Sequence, residues 1–126
     1  MENKISPSLE DYLEAIYFLQ EKNKDVRVTD LACQLNISKP SVNRAINNLK
    51  KKGYVEHENY GLLKLTQSGF VFAKDIAIRH ATLKKFLCNL LGVDKNIAEI
   101  EACNLEHSMS NDTIIKLQDY LKKVGV

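Results

Sequence analysis

The chain has 126 residues, 44% of them hydrophobic, and a formal net charge of +2. This apolar fraction excludes a disordered chain, and no apolar run reaches the length of a membrane span. Three cysteines without a CxxC pair exclude a disulfide framework. Because the chain start lacks the basic, apolar and small-residue progression of a signal peptide, we expect a soluble, cytoplasmic protein of one domain or two small ones.

The charges are unevenly distributed along the chain. Residues 39–52 include five basic and no acidic residues, whereas residues 94–112 include five acidic residues and one basic residue. This asymmetry is typical of a protein with an anionic partner at the first segment and a cation at the second. The alternative is that both segments are merely solvated faces.

The first part of the chain predicts two helices. Ser8 has the character of an N-cap, and apolar residues recur at helical spacing from Leu9 to Leu19. After a polar break at residues 23–25, Thr29 is predicted to cap a short helix. We therefore expect a longer helix followed by a shorter one.

A second short helix and a hairpin follow. Asn36-Ile37 predicts a turn, Ser38 an N-cap with Pro40 in the first helical turn, and Gly53 the helix end. Residues 54–55 and 62–65 are predicted strands, with residues 58–61 as the turn between them. The order of helix, turn, helix and hairpin is typical of a winged helix-turn-helix.

The remainder of the chain predicts helices only. A long helix begins at Thr66, carries His80 on its apolar stripe and stops at Gly92. Two further helices are predicted over residues 95–109 and from residue 110 or 111 to 123. The predicted fold is therefore mainly α with a small β-hairpin wing, comprising a winged helix-turn-helix domain at 1–70 and a helical domain at 71–126.

The second helix of the helix-turn-helix has the chemistry of a DNA-recognition helix. Such a helix enters the major groove, where Arg can bond guanine, Asn can bond adenine and Lys suits phosphates. The alternative is an ordinary solvated amphipathic face. The candidate DNA-binding residues are Ser38, Lys39, Pro40, Ser41, Asn43, Arg44, Asn47 and Lys51.

A metal site is predicted near the C-terminal end. Cys103, Glu106 and His107 have positions i, i+3 and i+4 of one predicted helix, so a thiolate, a carboxylate and an imidazole share a face. This set suits a divalent transition metal, and Glu99 is a further candidate on the same face. Additional candidate ligands are predicted on other helices: Asp11, Glu14 and His80.

Four of these residues have an alternative interpretation. Asp11 could bond back to the cap of the first helix, and a lone histidine such as His80 on an apolar stripe is more often a buried structural residue. Cys103 and His107 could form a nucleophile and base. Since no third orienting group or oxyanion hole is apparent, we do not expect an enzyme.

Several stretches resemble the iron- and manganese-dependent repressors typified by the diphtheria toxin repressor and the manganese transport regulator. The resemblance covers nearly the whole chain. The stretches that carry it are SLEDYLEAIY at residues 8–17, the helix-turn-helix, LTQSG at 65–69, Arg79-His80 and EACNLEHSMS at 101–110.

The resemblance implies a homodimeric repressor that reads a palindromic operator in the promoters of metal-uptake genes and so controls metal homeostasis. It assigns metal binding and dimerisation to the second domain. One metal site would use Asp11, Cys103, Glu106 and His107. A second site would use Glu14 and His80 and share Glu106 with the first.

The chain also departs from both branches of that family. The manganese branch has a carboxylate at the position of Cys103, and the iron branch has a methionine at the position of Asp11. The iron branch also has an ancillary metal site. In that site a histidine occupies the position of Glu99 of this chain, and an acidic residue occupies the position of Lys84. For this hybrid site we expect Fe²⁺ in preference to Mn²⁺, with Zn²⁺ or Co²⁺ able to bind in vitro. The alternative is a metal-independent winged helix regulator that senses an organic ligand or thiol oxidation at Cys103.

Overall fold

The computed structural model describes residues 7–22, 25–58 and 61–126. Within these ranges the chain is mainly helical with a small antiparallel sheet, which confirms the predicted fold class. The helices are α1 (Pro7–Glu21), α2 (Val28–Leu35), α3 (Lys39–Lys51), α4 (Gln67–Lys85), α5 (Lys95–Glu106) and α6 (Asn111–Lys123), and the strands are β1 (Val26–Arg27), β2 (Val55–His57) and β3 (Leu62–Leu65). The chain divides into two compact units, Met1–Lys74 and Asp75–Val126.

The sheet of the first unit has three strands, with β3 between β1 and β2. Leu63 of β3 pairs with Val26 on one side and with His57 on the other, and both pairings are antiparallel. Strand β1 was not predicted because two residues are too few to show an alternating pattern. The predicted strand at 54–55 was wrong in its bounds, and the predicted turn includes residues 59 and 60, which lie outside the described residues.

The helix-turn-helix is formed by α2 and α3. Asn36 adopts the left-handed conformation with φ of 55°, which reverses the chain after α2. Ser38 is the N-cap of α3, as predicted, and its Oγ accepts from the Ser41 N–H over 3.4 Å. The apolar residues of these helices join one core with α1 and the sheet, formed mainly by Leu13, Ile16, Val26, Leu31, Val42, Ile46, Leu49, Val55 and Leu63.

Two predicted N-caps were wrong. Helix α1 begins at Pro7, so Ser8 lies inside its first turn. Helix α2 begins at Val28, one residue before Thr29, and Arg27 is its cap residue. Arg27 takes the cap position of α2 because the carboxylate of Asp30 accepts a hydrogen bond from the Arg27 N–H over 2.8 Å and so satisfies that amide.

The start of α4 is fastened to the chain that follows α3. Thr66 Oγ1 accepts from the Gly69 N–H over 3.0 Å and donates to the carbonyl of Gly53 over 2.6 Å. A Cβ on Gly69 would lie 1.9 Å from the carbonyl oxygen of Tyr54, so only glycine fits this approach. Thr66 therefore caps the predicted long helix, which begins one residue later.

The second unit is built from α4 beyond Asp75, a π-helical turn at Phe86–Leu90, α5 and α6. The predicted long helix is α-helical only to Lys85, the π-helical turn continues it to Leu90, and Gly92, the predicted stop, has φ of 73°. Helix α6 has the predicted bounds, whereas α5 ends at Glu106 and not at residue 109. The main hydrophobic cluster of this unit contains the buried residues Leu83, Leu87, Ala98, Ala102 and Ile114.

A candidate nucleic-acid interface and a candidate metal centre

Helix α3 has one buried face and one exposed face. Val42, Ile46 and Leu49 are buried, and their spacing of three or four residues leaves the opposite side of the helix to solvent. The predicted DNA-binding residues belong to that opposite side. Ser41 is half-buried. The other predicted DNA-binding residues are all exposed, namely Ser38, Lys39, Pro40, Asn43, Arg44, Asn47 and Lys51.

The side chain of Arg44 is directed by its neighbour on α3. Its Nη2 donates to Ser41 Oγ over 3.2 Å, and Ser41 Oγ in turn accepts from Ser38 Oγ over 2.9 Å. Because a guanidinium has five N–H donors, one bond to Ser41 fixes its direction and leaves capacity for a further acceptor. This arrangement holds a cation near the N-terminal turn of α3, the part of a recognition helix that contacts base edges.

The charged residues along α3 and its flanking segments all have the same sign. Residues 31–55 contain no acid. The basic residues of this stretch are all exposed, namely Lys39, Arg44, Lys50, Lys51 and Lys52. An exposed cationic surface of this kind is suited to a phosphate backbone.

Three predicted metal ligands meet at the end of α5. One ligand atom each of Cys103, Glu106 and His107 lie within 4.8 Å of one another. Glu106 is only 1% exposed, while Cys103 and His107 are half-buried. The side chains of Cys103, Glu106 and His107 therefore lie close together in the second unit, as their helical spacing predicted.

The carboxylate of Glu106 is incompletely satisfied. Its Oε1 lies 2.6 Å from Nδ1 of His80, but its buried Oε2 has no hydrogen-bond partner. Nε2 of His107 is 3.6 Å from that oxygen, beyond a good hydrogen bond. Since a buried carboxylate oxygen without a partner is costly, and a cation beside a thiolate and an imidazole would compensate for it, the residues present fit a divalent metal.

His80 lies between two carboxylates. Its Nδ1 faces Glu106, and its Nε2 lies 2.9 Å from Oε2 of Glu99. The hydrogen bond to Glu106, opposed by burial and assisted by Glu99, raises the pKa of His80 to about 9. Each ring nitrogen of His80 therefore contacts a carboxylate, a polar environment that the apolar stripe of the helix did not predict.

Glu99 also contacts a lysine. Its Oε1 lies 2.8 Å from Nζ of Lys84, and the hydrogen bond from Lys84 is the largest cause that lowers the pKa of Glu99. The same contact raises the pKa of Lys84. From the sequence, Glu99 was predicted as a further candidate ligand and Lys84 was noted as a departure from the iron branch; the ion pair between them was not predicted.

Arg79 fixes the end of α5. Its Nε donates to the carbonyl of Glu106 over 2.9 Å, Nη1 donates to Oδ1 of Asn111 over 2.8 Å, and Nη2 donates to the carbonyl of Met109. These bonds hold the chain between α5 and α6 in an irregular path, which explains why α5 ends before residue 109. This role of Arg79 was not predicted from the sequence. The position of a charged residue directly before the candidate ligand His80 was the feature that could have indicated it.

The other two predicted ligands belong to the first unit. Asp11 and Glu14 are three residues apart on α1, a spacing that places them on the same side of the helix. Asp11 is half-buried, and Glu14 is 8% exposed, an unusual degree of burial for a carboxylate. Because Ser8 is not the N-cap, the capping interpretation of Asp11 loses its basis.

A winged helix-turn-helix with a basic recognition helix, combined with a helical unit bearing a thiolate, carboxylate and imidazole set, defines a metal-responsive transcription regulator. Two family models match the chain. Residues 4–63 match the N-terminal DNA-binding domain of the iron-dependent repressors, and residues 66–126 match their metal-binding and dimerisation domain. The chain belongs to the iron-dependent repressor family.

Curated relatives agree with this assignment. An uncharacterised HTH-type transcriptional regulator of Methanocaldococcus jannaschii is 41% identical over 120 residues, covering 94% of this chain and 96% of the relative. The HTH-type transcriptional regulator MntR of Bacillus subtilis is 34% identical over 117 residues, covering 93% of this chain and 82% of the relative.

Solved structures share the fold. The manganese regulator SloR superposes with a TM-score of 0.84 at 27% identity, over 94% of this chain and 55% of that one. A manganese-dependent transcriptional repressor in complex with manganese superposes with a TM-score of 0.83 at 31% identity, over 90% and 52%. The chain thus spans about half the length of these two structures.

The function follows at the level of the family. The protein is a metal-dependent transcriptional repressor that binds DNA and a divalent metal and forms a homodimer, and it is not an enzyme. The family assignment gives no support to the alternative of a metal-independent regulator. Among the described residues, no helix has both the length and the apolar character needed to cross a membrane.

Proposed function

We propose that this repressor responds to Fe²⁺ in preference to Mn²⁺ and binds a palindromic operator that controls metal-uptake genes. The carrying observation is the buried, hydrogen-bond-deficient Oε2 of Glu106, with ligand atoms of Cys103 and His107 nearby. A site of this composition calls for a cation. As a DNA-binding repressor, the protein is proposed to act in the cytoplasm, in contact with its operator DNA.

The proposed ligand assignment extends the α5 cluster with residues of α1 and α4. One ion would be held by Asp11, Cys103, Glu106 and His107. Support comes from the chemistry of the set, which offers two carboxylates, a thiolate and an imidazole. A second ion would be held by residues that share Glu106 with the first: Glu14 and His80.

The proposed switch rests on the charges of these ligands. When bound, a divalent metal would supply positive charge that compensates the carboxylates, and its coordination would fix the directions of the ligand side chains. In the proposed site, the carboxylates of Asp11, Glu14 and Glu106 would repel one another without the metal, and the DNA-binding helices would not be held at a spacing that fits successive major grooves. A coupling of about 1–3 kcal/mol between metal and DNA sites corresponds to about 5- to 150-fold in affinity.

The preference for Fe²⁺ rests on Cys103. A thiolate favours softer and later ions than Mn²⁺, while the two carboxylates favour harder ones, and Fe²⁺ lies between these extremes. Zn²⁺ and Co²⁺ would bind tightly in vitro by the Irving–Williams order without being the cellular effector.

The DNA surface is proposed to be the exposed side of α3. Arg44 and the asparagines Asn43 and Asn47 would contact base edges, and the lysines would contact phosphates. We propose that residues 1–70 form the DNA-binding domain and that residues 71–126 form the metal-binding and dimerisation domain.

The dimer surface is proposed to include the outward face of α5. Ile97 is 51% exposed and Ile100 is 64% exposed, on the side of the helix opposite the buried Ala98 and Ala102. Large exposed apolar residues on a soluble helix are typical of an interaction surface. Ile100→Glu should therefore weaken dimer formation in sedimentation experiments, with Glu101→Gln as the matched control on the same helix.

The switch is tested by measuring DNA affinity with and without metal. Fluorescence anisotropy of duplexes from upstream of its own gene should show binding with Fe²⁺ under anaerobic conditions and a loss of about 10- to 100-fold with chelator. Glu106→Gln should abolish this difference because it removes the shared carboxylate. Glu101→Gln, on the exposed side of α5, should retain it.

Two results would contradict the proposal. Equal DNA affinity of the wild-type protein with chelator and with metal would refute the switch. A normal metal response in Glu106→Gln would show that the buried carboxylate is not a ligand.

A further inference from the structure

Lys84, Glu99 and His80 form a continuous chain of polar contacts in the second unit. His80 and Lys84 are one helical turn apart on α4, and both reach Glu99 on α5. Oε2 of Glu99 lies 2.9 Å from Nε2 of His80, and Oε1 lies 2.8 Å from Nζ of Lys84. Each oxygen of this carboxylate is therefore already engaged by a donor.

The direction of the His80 ring follows from these contacts. With its Nε2–H donated to Glu99, the ring points its other nitrogen, Nδ1, at the buried carboxylate of Glu106, 2.6 Å away. The nitrogen that carries the hydrogen bond determines which one is left to bind metal. Histidine ligands commonly donate their second N–H to a carboxylate in this way.

We infer that Glu99 and Lys84 are positioning residues and that Glu99 is not a metal ligand. Glu99 holds His80 with Nδ1 toward Glu106, and Lys84 holds Glu99. This inference rests on the proposed function, in which His80 and Glu106 share a metal. The sequence predicted Glu99 as a further candidate ligand, whereas this inference gives Glu99 a role outside the coordination sphere of the metal.

The pair has an electrostatic consequence as well. A lone Glu99 would add a negative charge to a site already rich in carboxylates, but the ammonium of Lys84 offsets that charge locally. Glu99 is 53% exposed and Lys84 is 34% exposed at the side chain, so neither is part of the core. Substitutions at both positions should therefore leave the fold intact, which makes the inference testable.

The first experiment uses the metal-free protein. Long-range ¹H–¹⁵N NMR, assigned with His80→Gln, should show a slowly exchanging Nε2–H on His80 in the wild type. Glu99→Ala should lose this signal, and Lys84→Met should speed its exchange several-fold. Lys85→Met and Glu101→Gln are matched controls from the same two helices and should retain the wild-type signal.

The second experiment adds Zn²⁺, a diamagnetic probe, to the same proteins. The His80 ring of the wild type should keep its Nε2–H and bind Zn²⁺ through Nδ1. Glu99→Gln should bind the same number of ions as the wild type, with the affinity at the His80 site lowered about 10- to 100-fold, as for the loss of other outer-sphere partners. A crystal structure with Zn²⁺ should show Glu99 still paired with Lys84.

The outcomes separate two kinds of failure. A Glu99 oxygen bonded to Zn²⁺, or an unchanged His80 ring in Glu99→Ala, would overturn the positioning role and leave the metal site intact. A wild-type chain that takes up no Zn²⁺, Mn²⁺ or Fe²⁺ would refute the proposed function itself, and the positioning role would fall with it.

Discussion

Nδ1 of His80 and Oε1 of Glu106 lie 2.6 Å apart, although 26 residues separate them in the chain. The contact joins α4 to the end of α5 and leaves the second oxygen of Glu106 without a hydrogen bond. A histidine from one helix and a buried acid from another thus share a site within the second unit. Their mutual dependence gives the first prediction.

The metal-free protein should lose stability between pH 6.5 and about 9. The folded-state pKa of His80 is raised to about 9 from an ordinary value of 6.5. The stabilising charge on His80 is therefore fully present below pH 6.5 and is lost as the pH rises through about 9. Urea unfolding in chelator at several pH values measures this, and His80→Gln should lack that part of the pH dependence. An identical pH profile in His80→Gln would contradict the assignment.

Replacing Arg79 should destabilise the second unit. Arg79 is 8% exposed and donates to the carbonyls of Glu106 and Met109 and to Asn111. Arg79→Met keeps much of the side-chain volume but leaves buried acceptors unsatisfied, at a cost of about 2–4 kcal/mol in the free energy of unfolding. Denaturant unfolding measures the loss, and Lys123→Met on the exposed end of α6 should change stability by less than about 0.5 kcal/mol.

Arg44→Ala should weaken DNA binding and relax base preference at one operator position. The guanidinium is exposed on α3 and directed by Ser41. If it bonds a guanine, its removal should cost about 1–3 kcal/mol for the preferred base pair and much less for the others. Competition binding of operator variants measures this at fixed salt. A uniform loss across all sequences, with a shallower salt dependence, would instead identify Arg44 as a phosphate contact.

Cys103→Glu should shift the effector preference from Fe²⁺ toward Mn²⁺. The change replaces a soft sulfur ligand with a hard oxygen ligand beside Glu106 and His107. The measurement is the ratio of Fe²⁺ and Mn²⁺ concentrations that activate DNA binding, taken anaerobically. The substitution should also remove sensitivity to peroxide, because a thiolate is oxidisable.

The cysteine prediction has an internal control. Cys33 is exposed on α2 in the first unit, so Cys33→Ser tests whether peroxide acts at any accessible thiol. It should leave both the metal preference and the peroxide response unchanged. An unaltered metal ratio in Cys103→Glu would mean that Cys103 packs at the site without setting its preference.

Local patterns in the sequence determined most of the secondary structure and one face of the candidate metal centre. The buried stripe of α3, its Ser38 cap and the bounds of α6 follow from contacts within a few residues, which periodicity and capping rules describe. Cys103, Glu106 and His107 converge for the same reason, since three and four residues complete one helical turn.

Tertiary structure decided what surrounds that face. Whether Glu99 bonds a lysine, a histidine or a metal depends on the packing of α4 against α5, and the spacing of 15 residues between Lys84 and Glu99 carries no local signal. The early end of α5 likewise depends on Arg79, 27 residues before Glu106. Strand β1 exists only because β3 offers it a pairing edge. Local spacing therefore determined which side chains share a helix face, whereas contacts between distant elements decided their partners, charges and exposure.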